Sequence, residues 1–165
     1  MNILFVCTGN TCRSPMAEGI FKDMLKKNNI DNIIVSSAGL SVFPGEHANE
    51  KAVKALKEKG IDITMHRARQ LLDEINKADL ILTMTLSHKQ VISDYFKSKT
   101  DETSPCLSCL FTLKEFAAKL SGEKLTGTDI DDPYGRDYNF YKDSRDEIEM
   151  ELIKILKNLN KLEGI

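Results

Sequence analysis

The sequence predicts an α/β fold in which a parallel sheet carries helices on both faces, and three observations support this. Short, continuous apolar runs occur at Ile3-Leu4-Phe5-Val6, Ile33-Ile34-Val35, Leu80-Ile81-Leu82 and about Leu107 to Leu113. Unbroken apolarity over so few residues suits strands buried on both faces. Segments with apolar residues at helical spacing lie between these runs, and such alternation is the pattern of strand–helix–strand units with parallel strands.

The elements follow in order. The first strand runs into Cys7, a short loop follows, and Ala17, Ile20, Phe21 and Met24 then form one helical stripe. Pro15 suits the first helical position, where the missing N–H costs nothing. Ala52, Val53 and Leu56 form a second stripe, stopped by Gly60. A third helix includes His88 to Phe96, with His47 and His88 read as surface residues. Lys97 to Pro105 reads as an exposed polar loop. The last helix repeats Ile148, Leu152, Ile155 and Leu159, and Ser144 with Glu147 is expected to form a capping box near its start. With no repeat, low-complexity tract or Gly/Ser linker, residues 1–165 are expected to form a single domain.

Composition excludes several classes of function. Lys and Arg number 23 against 25 Asp and Glu, a net charge of −2. That balance offers no general attraction for nucleic acid or an anionic membrane, so any basic site must be local. No run is long enough to span a bilayer. The N-terminus, Met1-Asn2-Ile3-Leu4-Phe5-Val6, lacks the basic region and cleavage site of a signal peptide. The expectation is a cytoplasmic protein, whose Cys7, Cys12, Cys106 and Cys109 would be mostly reduced. No Cys/His cluster has metal-ligand spacing, since one Cys-x2-Cys alone is not a zinc site.

In a parallel sheet, ligands bind at the carboxyl ends of the strands, which points to Cys7-Thr8-Gly9-Asn10-Thr11-Cys12-Arg13-Ser14. A short strand-to-helix loop can wrap an oxyanion with inward-pointing backbone N–H groups. The helix that follows adds partial positive charge at its N-terminus. Gly9 and Asn10 tolerate the left-handed backbone of a concave loop. Arg13 offers a planar fork of donors matched to two phosphate oxygens. At the head of this electropositive loop, Cys7 is favoured as a thiolate nucleophile. One loop thus both binds phosphate, through residues 8 to 14, and activates the attacking sulfur.

The stretch Val6-Cys7-Thr8-Gly9-Asn10-Thr11-Cys12-Arg13-Ser14-Pro15-Met16-Ala17-Glu18 resembles the signature of the low-molecular-weight protein tyrosine phosphatases. The resemblance continues through Ser36-Ser37-Ala38-Gly39, His66-Arg67-Ala68-Arg69-Gln70 and Asp131-Asp132-Pro133-Tyr134-Gly135. It covers nearly the whole chain in the expected order. It implies a small flavodoxin-like three-layer sandwich with four parallel strands, and no metal or other cofactor. It also implies that Asp132, before the Pro of an Asp-Pro-aromatic loop, first protonates the leaving group and then deprotonates the hydrolytic water. Read without it, Asp131-Asp132-Pro133 is a turn in which Pro133 restricts Asp132 to extended conformations. Ser14 could donate to the departing Cys7 sulfur or cap the helix. Asn10, Ser37 and His66 match a polar network bracing the loop in the family, with Asp131 left as a solvated turn residue.

The Thr-Gly-Asn-Thr-Cys-Arg-Ser version of the loop resembles the bacterial protein-arginine-phosphatase branch. Tyrosine-directed relatives place a bulky apolar residue where Thr11 stands, and often follow the Pro with two aromatics, whereas Gly135 follows Tyr134 here. A hydroxyl at residue 11 can hold a polar guanidinium, while a large alkyl group would favour a flat ring. Thr11, Phe43 and Tyr134 are the expected pocket walls, and phosphoarginine is preferred over phosphotyrosine. The partners are then phosphorylated proteins, acted on by a monomer. Cys12 is expected to guard Cys7 through a reversible disulfide. Other classes stay open. A thioredoxin-coupled arsenate reductase needs relay cysteines after the third strand, and Met84 to Ile92 has none. A sugar-transport phosphocarrier would store phosphocysteine, against which Arg13 and Asp132 favour turnover. Cys7 argues against a phosphate-binding module without catalysis.

Overall fold

The computed structural model describes residues 1–98 and 107–164, so Cys106 and most of the expected polar loop, residues 99–105, lie outside the described residues. The elements are β1 (Asn2–Cys7), α1 (Arg13–Lys27), β2 (Ile34–Gly39), α2 (Glu50–Lys57), α3 (Leu71–Glu74), β3 (Leu80–Thr83), α4 (Leu86–Ser98), β4 (Leu110–Thr112), α5 (Leu113–Ser121) and α6 (Tyr138–Lys157). The strands form one parallel sheet in the order β2-β1-β3-β4.

Side chains alternate across a strand, and β1 accordingly feeds two cores. Ile3, Phe5 and Cys7 pack beneath α1, α2, α5 and α6, whereas Leu4 and Val6 pack against α3 and α4 through Leu71, Ile92 and Phe96. Helices therefore cover both faces, as the apolar runs implied, and the arrangement is the flavodoxin-like α/β sandwich. No helix among the described residues is long and apolar enough to cross a membrane.

Several local expectations are corrected. The fourth apolar run yields only a three-residue strand, because Leu107–Cys109 forms a single 3-10 turn and Leu113 already begins α5. A capping box does occur, but at Thr112 and Glu115. Ser144 and Glu147 lie well inside α6, whose first residue is Tyr138. There the Ser144 hydroxyl donates to the Asp131 carbonyl at 2.9 Å, and Glu147 pairs with Lys114. Both tie α6 to its surroundings instead of starting it. Pro15 is the third residue of α1, still within the turn whose N–H groups lack helical partners.

Candidate active site

Cys7 ends β1, and its partner in the parallel register is Gly39 at the end of β2. The loop 8–12 turns from that strand end into α1, whose residue before the first turn is Cys12. Asn10 takes the left-handed conformation at φ 55°, while Gly9 does not, so only one of the two expected positions needs it. Gly39 is needed for a different reason. A Cβ there would come within 2.6 Å of the Thr8 carbonyl oxygen and 2.9 Å of the Asn10 nitrogen. Lacking one, the chain at Gly39 lies against the loop, and Leu40 and Ser41 donate backbone bonds to the Cys7 and Thr8 carbonyls at 3.1 and 3.0 Å.

Behind the loop lies a buried polar network. The Asn10 amide donates to Ser14 Oγ at 2.9 Å and Ser37 Oγ at 2.8 Å, and its carbonyl oxygen accepts from the Arg69 backbone at 2.9 Å. His66 Nε2 donates to the Asn10 backbone carbonyl at 2.8 Å. Burial pushes the His66 pKa below the ordinary histidine value. Ser37 donates in turn to Glu18 at 2.6 Å, and Glu18 pairs with Lys22 and Arg69. Ser14 Oγ stands 3.0 Å from Cys7 Sγ and makes no capping bond, so its hydroxyl serves the sulfur and the network. The sequence reading found Asn10, Ser14, Ser37 and His66 but gave no role to Glu18 or Arg69.

In front of the loop is a cavity of about 270 Å³ lined by Cys7, Thr8, Gly9, Thr11, Cys12, Arg13, Ser41, Phe43, Glu46, Asp132 and Tyr134. It brings together every residue expected as nucleophile, phosphate fork, acid and pocket wall. Asn10 and Ser14, expected among the phosphate-binding residues, do not line it. Arg13 is 4% exposed; it donates from Nη1 to the Ile130 carbonyl at 3.1 Å and from Nη2 to Asp132 Oδ2 at 2.6 Å. Its Nε is buried without a partner among the described residues. The Asp132 side chain is 49% exposed, and its other oxygen accepts from the Tyr134 backbone at 3.1 Å, which fixes the turn after Pro133. Phe43 and Tyr134 are 81% and 71% exposed at the mouth. Glu46, which no motif or spacing picks out, adds a second carboxylate to the wall.

Cys12 is buried, and burial pushes its thiol pKa up; its Sγ donates to Tyr141 Oη at 3.8 Å. Cys7, Cys12 and Cys109 are all free thiols. His88, read as a surface residue, is instead 6% exposed at the start of α4, with Nε2 2.9 Å from Thr8 Oγ1. Its ring meets the Thr8 hydroxyl instead of solvent, a contact across 80 residues that helical periodicity cannot signal. His47 and Asp131 are exposed, as expected.

The arrangement can hold an oxyanion between backbone and Arg13, attack it with Cys7 and offer a carboxyl at the cavity edge. A family model described as low molecular weight phosphotyrosine protein phosphatase matches residues 2–163. A protein-arginine-phosphatase of Bacillus subtilis (strain 168) is 41% identical over 162 residues, 98% of this chain and 98% of its own. The low molecular weight protein-tyrosine-phosphatase PtpB of Staphylococcus aureus is 32% identical over 158 residues, 94% and 96% of the two chains. Among solved structures, a YwlE arginine phosphatase, a cysteine-to-serine mutant with a phosphorylated active-site serine, superposes with a TM-score of 0.83. It shares 40% identity over 98% of this chain and 97% of that one.

Proposed function

Because this chain belongs to the low molecular weight protein phosphatase family, we propose that it removes phosphate from phosphoarginine on proteins through a cysteinyl-phosphate on Cys7. The observation that carries this reading is the shared cavity, which places the Cys7 sulfur, the buried Arg13 fork and the Asp132 carboxyl around one space. Cys7 Sγ attacks phosphorus while Arg13 and the loop N–H groups hold the phosphoryl oxygens. Arg13 Nε, buried without an acceptor among the described residues, is one donor for this. Asp132 delivers a proton to the departing nitrogen as the P–N bond breaks. A water then attacks phosphorus, Asp132 takes its proton, and Cys7 leaves as a thiolate stabilised by the Ser14 hydroxyl 3.0 Å away.

Two features of the wall favour a guanidinium over a phenyl ring. Thr11 presents a hydroxyl where bulk would support a ring, and Glu46 with Asp132 gives two carboxylates to a cationic leaving group. A phosphotyrosine has no positive charge to meet them. The same cavity with Phe43 and Tyr134 as ring contacts supports phosphotyrosine as the second reading. The test is a side-by-side assay of phosphoarginine and phosphotyrosine peptides with wild type and Cys7→Ser. Higher kcat/KM on phosphoarginine and no turnover by Cys7→Ser are expected. A wild-type preference for phosphotyrosine would reverse the order of the readings, and turnover by Cys7→Ser would remove the mechanism.

Cys12 lines the same cavity and serves as the resolving thiol for an oxidised Cys7. Peroxide treatment followed by mass mapping is expected to give a Cys7–Cys12 bridge that thiols reverse. Sulfonic acid at Cys7 without that bridge would leave Cys12 a packing residue.

A further inference from the structure

We propose that His88 is a positioning residue for substrate selection, holding the Thr8 side-chain hydroxyl in one orientation on the cavity wall so that Thr8, like Thr11, presents a polar contact to the guanidinium. This rests on the phosphoarginine reading. Thr8 directly follows the nucleophile and lines the cavity, and its hydroxyl stands 2.9 Å from His88 Nε2. The backbone of Thr8 is also held, its carbonyl accepting from Ser41 N at 3.0 Å. His88 sits in the first turn of α4, its own backbone N–H bonded to Thr85 Oγ1 at 3.2 Å.

The direction of the Thr8–His88 bond follows from what surrounds the ring. Burial first, and the nearby Arg13 guanidinium second, lower the His88 pKa to about 4, so at neutral pH the ring carries one N–H. Nδ1 is buried with no partner among the described residues. An orphaned buried N–H is rarer than an under-satisfied acceptor, which places the proton on Nε2, aimed at Thr8 Oγ1. A hydroxyl has one proton and two lone pairs. Once one lone pair accepts from His88, a proton and a lone pair remain for the cavity. The proton suits a phosphoryl oxygen and the lone pair a guanidinium N–H; a phenyl ring uses neither well. Without His88 the hydroxyl is free to rotate among staggered wells and loses that fixed polarity.

A residue that only supports the fold would behave differently. The unpartnered Nδ1 means that the ring gives up hydrogen bonding by being buried, so His88→Leu is expected to melt no lower than wild type. The experiment is a double-mutant cycle of Thr8→Val, His88→Leu and their combination, read as kcat/KM on phosphoarginine and phosphotyrosine peptides. Each single variant is expected to lower the phosphoarginine-to-phosphotyrosine ratio by up to about 10-fold, the net worth of one ordinary hydrogen bond. The combination should lose no more than Thr8→Val alone, because His88 acts through Thr8. His88→Gln, whose amide can donate from nearly the same place, should recover much of the ratio. Equal loss on both substrates, losses that multiply in the double variant, or a lower melting point for His88→Leu would each overturn the proposal. A wild-type preference for phosphotyrosine would instead sink the substrate reading. The cycle on phosphotyrosine would then still decide whether His88 acts through Thr8.

Discussion

Behind the phosphate loop, Asn10, Ser14 and Ser37 are fully buried and joined by hydrogen bonds of 2.8 to 2.9 Å. In front of it, Phe43 and Tyr134 are mostly exposed, and Glu46 is exposed as well. The two sides face different physical demands. The back must hold a left-handed residue and a run of backbone N–H groups in a shape that the chain would not keep unaided, so Asn10, Ser14 and Ser37 are paired and dry. The front must admit a polypeptide, so its side chains stay in water and can vary without disturbing the loop. Chemistry and stability should therefore fail together when the back is changed, and selectivity should move alone when the front is changed.

The largest effect belongs to the residue where the two sides meet. Asp132 is half exposed at the cavity edge yet bonded to the buried Arg13. Asp132→Ala is expected to lower kcat on phosphoarginine by about 10²–10⁴-fold, the usual range for a general acid–base group. Asp132→Asn separates the two roles, because the amide oxygen can still accept from Arg13 but the group cannot supply the proton. It should be nearly as slow as Asp132→Ala with poor leaving groups, and closer to wild type with p-nitrophenyl phosphate, whose leaving group needs no proton. If Asp132→Ala loses equally on every leaving group while Asp132→Asn stays near wild type, Asp132 acts only by holding Arg13.

On the back, Asn10→Ala removes three side-chain hydrogen bonds and puts a Cβ residue other than Asn or Gly at φ 55°. Lost bonds and left-handed strain together suggest about 3 kcal/mol or more, read as a melting point lower by roughly 10 °C. Asn10→Gly restores the backbone freedom but not the bonds, so its loss should be smaller. Equal losses would mean that the bonds alone stabilise the loop, and no change in melting point would break the contrast between the two sides.

How much of this was legible in the sequence follows the same division. The first and third apolar runs read correctly as doubly buried strands, since β1 feeds two cores and β3 is buried throughout. The run Ile33-Ile34-Val35 instead falls at the start of edge strand β2, where Ile34 is 64% exposed. Cys7 and Arg13 could be found because they lie within one short loop after a strand, where spacing alone implies proximity. The bracing residues were reachable only in part. Asn10, Ser37 and His66 came from resemblance, while Glu18 and Arg69 bond across 19 to 51 residues by hydrogen bonding that no periodicity encodes. His88 was misplaced for a related reason. On a helix of mixed polarity a histidine reads as a solvent-facing residue, and only the fold shows that the start of α4 abuts Thr8. Ser144 and Glu147 have the spacing of a capping box, yet the chain enters α6 at Tyr138 and uses both side chains to bind other segments. Gly39 was quoted as part of a motif, but its reason is a contact between two strand ends, visible only once β1 and β2 are paired.

The smallest change is the sharpest test of the front. Thr11 lines the cavity beside Phe43, Glu46 and Tyr134, and among the described residues its hydroxyl makes only a weak 3.7 Å approach to Cys12 Sγ, which lines the same cavity. Thr11→Ile removes a polar group suited to a guanidinium and adds apolar surface on which a phenyl ring can rest. A change of that size is worth roughly 1–3 kcal/mol, or about 10–200-fold in kcat/KM. The phosphoarginine-to-phosphotyrosine ratio should fall by that factor while the melting point stays near wild type, the reverse of the Asn10→Ala result. A lowered melting point would show that residue 11 belongs to the back after all. An unchanged ratio at unchanged stability would move selectivity to the mouth, where Glu46→Gln removes the second carboxylate and should cost phosphoarginine more than phosphotyrosine. The contrast between a dry scaffold and a wet selective wall stands only if the two variants, one position apart in the chain, fail in these opposite ways.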